Sequence, residues 1–190
     1  MLSQIWKNRY EVRPSLNRRI ELSNEDIFFV NFSLRSTFDI CGNALAKKLK
    51  ENPQLKVRML MAHPDSFHVK ANEKKFSNRK VRQEMTKTLY QLKSFHDDLD
   101  PLAQKKIDVR LTYHLPMFAA KVFDHNVMLL NFYLYNGNAR EYPLIEVTKT
   151  NHCEVFDNIL KSLEKLFHFK SGDNETNNHK LVINGEWNQF

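Results

Sequence analysis

An α/β fold, with a mixed β-sheet flanked by helices, is the architecture that this 190-residue chain predicts. Three observations carry the prediction. Residues 27–62 alternate a strand-length apolar run, a segment of helical spacing and a second strand-length run. Residues 107–134 read as three strands with turns between them. Residues 154–167 then carry the strongest helical pattern in the chain, with Phe156, Ile159, Leu160, Leu163, Leu166 and Phe167 on one face.

Each element has its own signal. Residues 1–22 read as a basic arm (Lys7, Arg9, Arg13, Arg18, Arg19) that also carries Trp6 and Tyr10. Ile27–Leu34 is almost continuously apolar, the mark of a strand buried on both faces. Ser36 opens a helix, with Asp39 three residues on in the spacing of a capping box. Phe38, Cys41, Leu45 and Leu49 form its apolar stripe, and Asn52-Pro53 stops it. Leu55–Ala62 is the returning strand, so the first two strands are parallel with a right-handed crossover. Residues 71–105 read as helical, with Val81, Met85, Leu89 and Leu92 as the buried stripe. Ile107, Val109, Leu111 and Tyr113 alternate with polar residues, the period of a half-buried strand. Met117–Phe123 and Val127–Leu134 follow, linked through Asp124-His125-Asn126 as a hairpin. Tyr142–Val147 is a last short strand, and Asn151 caps the final helix with Glu154 as box partner. The core domain thus spans 23–170. Residues 171–180 are a polar linker, and the tail to 190 adds an edge strand or docks on a partner.

Composition narrows the class. The chain has 42% hydrophobic residues, 14 Phe and only 4 Gly, which excludes a disordered or low-complexity chain. No apolar run reaches spanning length and the N-terminus lacks a secretory h-region, so a cytoplasmic protein without membrane association is expected. Cys41 and Cys153 sit at apolar helical positions and read as buried reduced thiols. No Cys/His spacing suits a metal, and no cofactor is expected. The net charge of +7 is uneven, with a second basic cluster at residues 70–87. Excess positive charge favours polyanions.

Four stretches, FVNFSLRST (29–37), KVRMLMAHPDS (56–66), IDVRLTYHLPMFAAKVFDHNVMLLNFYL (107–134) and PLIEV (143–147), give the chain a resemblance to the phospholipase D-like superfamily. It resembles most the degenerate branch found beside bacterial regulatory or defence modules. The resemblance spans most of residues 25–168 and implies phospholipase D-like topology. Active members carry His-x-Lys-x4-Asp and a later Asn. Aligned on Lys121, this chain has Ala119 at the histidine position and Asn126 at the aspartate position, with Asn131 or Asn136 near the later Asn. An alanine offers no nucleophile. The resemblance implies recognition without turnover, and association as a homodimer or in a heteromeric complex, because active relatives pair two halves.

Candidate residues follow, each with two readings. Lys121 is a retained phosphate contact, assisted by Arg35 or Asn126, or a lysine whose stem packs while its ammonium reaches the surface. Ser33, Arg35 and Ser36 form an anion cradle at a helix N-terminus, or a cap with a solvated arginine. Lys75, Arg79 and Arg82 on the basic helix, with Arg9 and Arg13 in the arm, contact nucleic acid or a nucleotide, or form a solvated surface and a protein interface. His63, Asp65 and His68 suggest a metal site or, more simply, a turn. A phosphodiesterase or nuclease remains the alternative if His114 or His125 replaces the missing imidazole.

Overall fold

The computed structural model describes residues 2–8, 11–75, 80–114, 118–132, 142–150 and 154–169, with the backbone of 179–180, 182–183 and 186–187. In chain order the elements are β1 (Leu2–Trp6), α1 (Arg13–Leu22), β2 (Asp26–Asn31), α2 (Arg35–Glu51), β3 (Lys56–Ala62), α3 (Phe67–Lys75) and α4 (Val81–Asp97). They continue with α5 (Pro101–Gln104), β4 (Ile107–Thr112), β5 (Phe118–Phe123), β6 (Val127–Phe132), β7 (Leu144–Thr148), α6 (Glu154–Phe167), β8 (His179–Lys180), β9 (Val182–Ile183) and β10 (Glu186–Trp187).

Eight strands form one mixed sheet in the order β1-β7-β6-β5-β2-β3-β4-β8. The β2/β3 and β3/β4 pairs are parallel, and the remaining pairs are antiparallel. The βαβ unit is therefore present as the sequence predicts. Both sheet faces are covered. On one, Ile27, Phe29, Met59, Val109 and Leu129 pack under α1, α2 and α4 through Leu16, Ile20, Cys41, Leu45, Met85 and Leu89. On the other, Phe28, Val30, Leu60, Val122, Met128 and Leu130 pack under α6 through Phe156, Leu163 and Phe167. Double coverage explains why β2 and β5 read as apolar runs without alternation.

Several boundaries differ from expectation. Where an arm was expected, the described residues 2–8 and 11–22 join the sheet and the core. β1 pairs with β7, and Val12, Leu16 and Ile20 of α1 and its lead-in are buried. The helix after β2 begins at Arg35, and its N-cap is Leu34, without a side-chain cap. The 71–105 segment divides into α3, α4 and α5. The last break is local chemistry, since the Asp100 carboxylate accepts from the Leu102 and Ala103 N–H groups ahead of Pro101. The predicted polar linker contributes β8, which pairs with β4 at the sheet edge. Asn136, Asn151, Cys153 and Tyr10 lie outside the described residues.

Candidate functional site

The β5–β6 hairpin sets the register of the site. Its tip closes as a turn whose central residues, Asp124 (φ 47°) and His125 (φ 51°), both take positive φ, with Asn126 N–H donating to Phe123 O at 2.9 Å. Asp and His tolerate that region better than most residues, and the pattern is that of a type I′ turn. The turn pairs Phe123 with Val127, Lys121 with Leu129 and Ala119 with Asn131. Alternation then puts Ala119, Lys121, Leu129 and Asn131 on one face, the face under α2.

Lys121 lies opposite Phe29 of β2, in the middle of the sheet, and is only 4% exposed. Its ammonium is nearly enclosed and does not lie free in solvent. One step toward the carboxyl end of β2 lies a buried polar group. Asn31 donates from Nδ2 to Thr37 Oγ1 at 3.0 Å, which fixes the first turn of α2 over the strand end. Asn131 donates from Nδ2 to the Pro143 carbonyl at 3.1 Å and, more weakly, to that of Tyr142 at 3.4 Å. One helical turn past Thr37, the Cys41 thiol donates to the Thr37 carbonyl at 2.9 Å. Burial pushes the Cys41 thiol up to about 12, and the nearby Lys121 charge pulls it back by a smaller amount. The site is thus a buried lysine among amide, hydroxyl and thiol groups, with the buried Ala119 two residues before it on the same face.

The other sequence-predicted residues are dispersed. Asn126 is at the exposed hairpin tip, beside the start of β2, where its carbonyl accepts from Lys149 N–H at 2.8 Å. Arg35 lies past the opposite end of β2 and faces Glu84 (3.3 Å) and Asp39 (3.9 Å). Neither is brought to Lys121. Ser33 and Ser36 are half-buried in the link from β2 into α2. His125 faces Asp26 at 3.5 Å at the hairpin end of the sheet. His114 follows Thr112 onto the α6 face, where its ring meets Phe169 edge-on at 4.3 Å. Both histidines are therefore removed from Lys121, one by the length of a strand and one by the thickness of the sheet. Arg82 pairs with Asp65 at 2.5 Å. Arg13 opens α1 and Lys75 closes α3, while Arg9 and Arg79 lie outside the described residues.

His63 is the histidine that shares the face of Lys121, two residues past Met61. Its ring stacks on Tyr113 with centroids 4.3 Å apart, and Nε2 lies 3.3 Å from the Tyr113 hydroxyl. Nδ1 accepts the Asp65 N–H at 3.0 Å, so His63 and Asp65 form a turn. Four residues along and two strands across separate the Cα atoms of His63 and Lys121 by roughly 16 Å. Among the described residues, no group of three or more His, Cys, Asp or Glu side chains gathers to hold a metal ion.

Comparison with solved structures yields three informative likenesses. TrmBL2, an archaeal chromatin protein, aligns at TM-score 0.54 and 7% identity over 93% of this chain and 52% of its own. Phosphatidylserine synthase of Haemophilus influenzae aligns at 0.54 and 14% over 86% of this chain and 36% of its own. Nuc of Salmonella typhimurium, a phospholipase D family member, aligns at 0.50 and 10% over 93% of this chain and 96% of its own. The fold is phospholipase D-like. The chain spans about half the length of TrmBL2 and less of the synthase, but nearly all of Nuc. Comparisons with known protein families and with curated proteins found no match. Among the described residues, no helix is long and apolar enough to cross a membrane.

Proposed function

We propose that this chain is a non-catalytic phospholipase D-like protein that recognises a phosphate-bearing ligand, nucleic acid foremost, or a partner subunit. One observation carries the reading. Ala119 stands two residues before Lys121 on the same face and directly across from Asn131, the place where the resemblance requires a nucleophilic histidine. The placement of His125 at the hairpin tip and of His114 against Phe169 supports this reading. Neighbours of the same fold include a chromatin protein described by a novel mode of DNA binding. The positive charge of this chain fits the same class of ligand. A regulatory or defence setting, and assembly as a homodimer or with another protein, belong to this reading through the resemblance alone.

The test is an assay for phosphodiester cleavage on a labelled oligonucleotide in the presence of EDTA, paired with a binding measurement on the same oligonucleotide. The expected result is binding without cleavage, with binding weakened in Lys121→Met. Cleavage that persists in EDTA and disappears in Lys121→Met would refute the non-catalytic assignment.

A further inference from the structure

Residues 65–90 hold seven lysines and arginines against three acids, and an exposed aromatic ring stands among them. Phe67 opens α3 with 77% of its surface in solvent. Its ring meets His68 edge-on at 5.7 Å. Lys70, Ala71 and Lys74 follow at i+3, i+4 and i+7, which puts all four side chains on one helix face, and all four are exposed. Val69 is buried on the opposite face and Glu73 turns toward α4, where its carboxylate accepts the Arg82 N–H at 2.7 Å. That bond and the Arg82–Asp65 pair hold the first turn of α4 against α3. A shallow groove is lined by Phe67, Lys70, Ala71, Glu73 and Lys74.

We infer that this α3 face binds single-stranded nucleic acid, with Phe67 stacking on an unpaired base and Lys70 and Lys74 contacting the flanking phosphates. Three physical points select this occupant. A protein-binding groove offers several apolar side chains and few lysines, whereas here one large exposed ring heads a helix face that continues with two exposed lysines. Aromatic rings interleaved with cations are the arrangement that stacks bases while neutralising phosphates. A ring presented on a helix surface stacks only on a base that is not already stacked within a duplex. The inference takes up the nucleic-acid form of the proposed function, but it uses no residue of the Lys121 cluster.

The experiment is fluorescence anisotropy of the full chain with a labelled oligothymidylate of about 20 nucleotides, longer than a single stacking site requires. A duplex of the same length serves as competitor, over a salt series. Phe67→Ala is expected to weaken binding to the single strand about tenfold, with its salt dependence unchanged. Phe67→Trp is expected to restore binding, with its fluorescence quenched on stacking. Lys70→Ala with Lys74→Ala is expected to flatten the log–log salt slope by about 0.7 for each phosphate no longer neutralised. Equal affinity of Phe67→Ala and the parent chain overturns the inference, as does preference for the duplex. So does dissociation of a protein dimer by Phe67→Ala, which would make the face a protein interface. Lys121→Met separates the two proposals. If it weakens binding and Phe67→Ala does not, the inference falls and the function stands. The reverse pattern upholds the inference and removes Lys121 from recognition.

Discussion

Cys41 lies close enough to Lys121 for the ammonium to act on its thiol, and burial decides the balance between them. The unfolded thiol ionises near its ordinary value of 9.0, and the folded one near 12. Between those values the folded chain holds a proton that the unfolded chain releases. This contribution to stability is whole below pH 9 and is lost as pH rises toward 12, at up to about 1.4 kcal/mol per pH unit. Urea unfolding of the parent chain and of Cys41→Ala should therefore show a stability gap that narrows across this alkaline window. A gap that stays constant would mean the thiol ionises as freely inside as outside. At neutral pH the same burial keeps Cys41 a thiol, slow to react with disulfide reagents.

Asp124 shows how one side chain at a turn anchors two strands. Its carboxylate accepts the backbone N–H groups of Asn24 (2.9 Å), Glu25 (2.9 Å) and Asp26 (3.0 Å), while its own N–H donates to Asp26 O at 2.8 Å. The hairpin tip is thereby locked to the start of β2. Hydrogen bonds to a charged group contribute about 1.5–3 kcal/mol, but water can reach part of this exposed turn. Asp124→Ala should cost about 2 kcal/mol in chemical denaturation, with Asp124→Asn between the two. A loss below about 0.5 kcal/mol, the scale of an ordinary surface change, would remove the anchor. Nothing in the linear sequence separates this aspartate from a solvated turn residue, because its three partners lie about a hundred positions upstream. The turn itself was legible, and with it the hairpin. The register that sets Asn131 against Ala119 was not, since it depends on how few residues the turn consumes.

α6 covers its sheet face through a mixed apolar and ionic contact. Phe167 meets Phe28 edge-on at 5.2 Å, and the Arg110 and Arg58 guanidinium groups lie over these rings at 4.2 and 4.4 Å. Arg58 also forks onto buried Asp26 at 2.9 and 2.8 Å and reaches Glu164 of the helix at 2.6 Å. Burial opposes the Arg58 charge, but the two carboxylates outweigh it and hold the group protonated. Removing one partner of such a cluster leaves the other charge stranded in the interior, at about 3–5 kcal/mol. Arg58→Ala should destabilise the fold on that scale, and Arg58→Lys should recover only part because an ammonium cannot fork. Denaturation midpoints of the two variants check this, and equal midpoints for alanine and arginine would dismiss the clamp. The apolar stripe of α6 and the alternation of β4 were plain in the sequence. The role of Arg58 was hidden, since on a strand it reads as an outward charge until a helix covers that face. The start of α2 was misplaced for a related reason: the Asn31–Thr37 bond and sheet packing set the helix entry, with no side-chain cap at Leu34.

At the scale of the whole molecule, the first 22 residues carry the sharpest contrast between sequence and structure. Their arginines suggest a solvated arm, and periodicity there is weak. Yet Val12, Leu16 and Ile20 are fully buried, and Arg19 crosses to Glu146 on β7 at 2.8 Å, where the carboxylate is almost wholly enclosed. β1 also occupies the outer edge of the sheet beside β7. Deleting residues 1–22 would remove three core side chains, each contributing about 1.5–3 kcal/mol by burial, together with the arginine that pairs with Glu146. Those losses together are comparable with the entire stability of an ordinary domain. The truncated chain should therefore lose its cooperative thermal transition, whereas removal of a true arm would leave the transition temperature unchanged. Arg19→Met alone tests the ionic part, with an expected loss of about 3 kcal/mol read from the shift in denaturation midpoint. If the truncated chain melts like the parent, residues 1–22 are an appendage after all, and the core that supports Lys121 begins at β2.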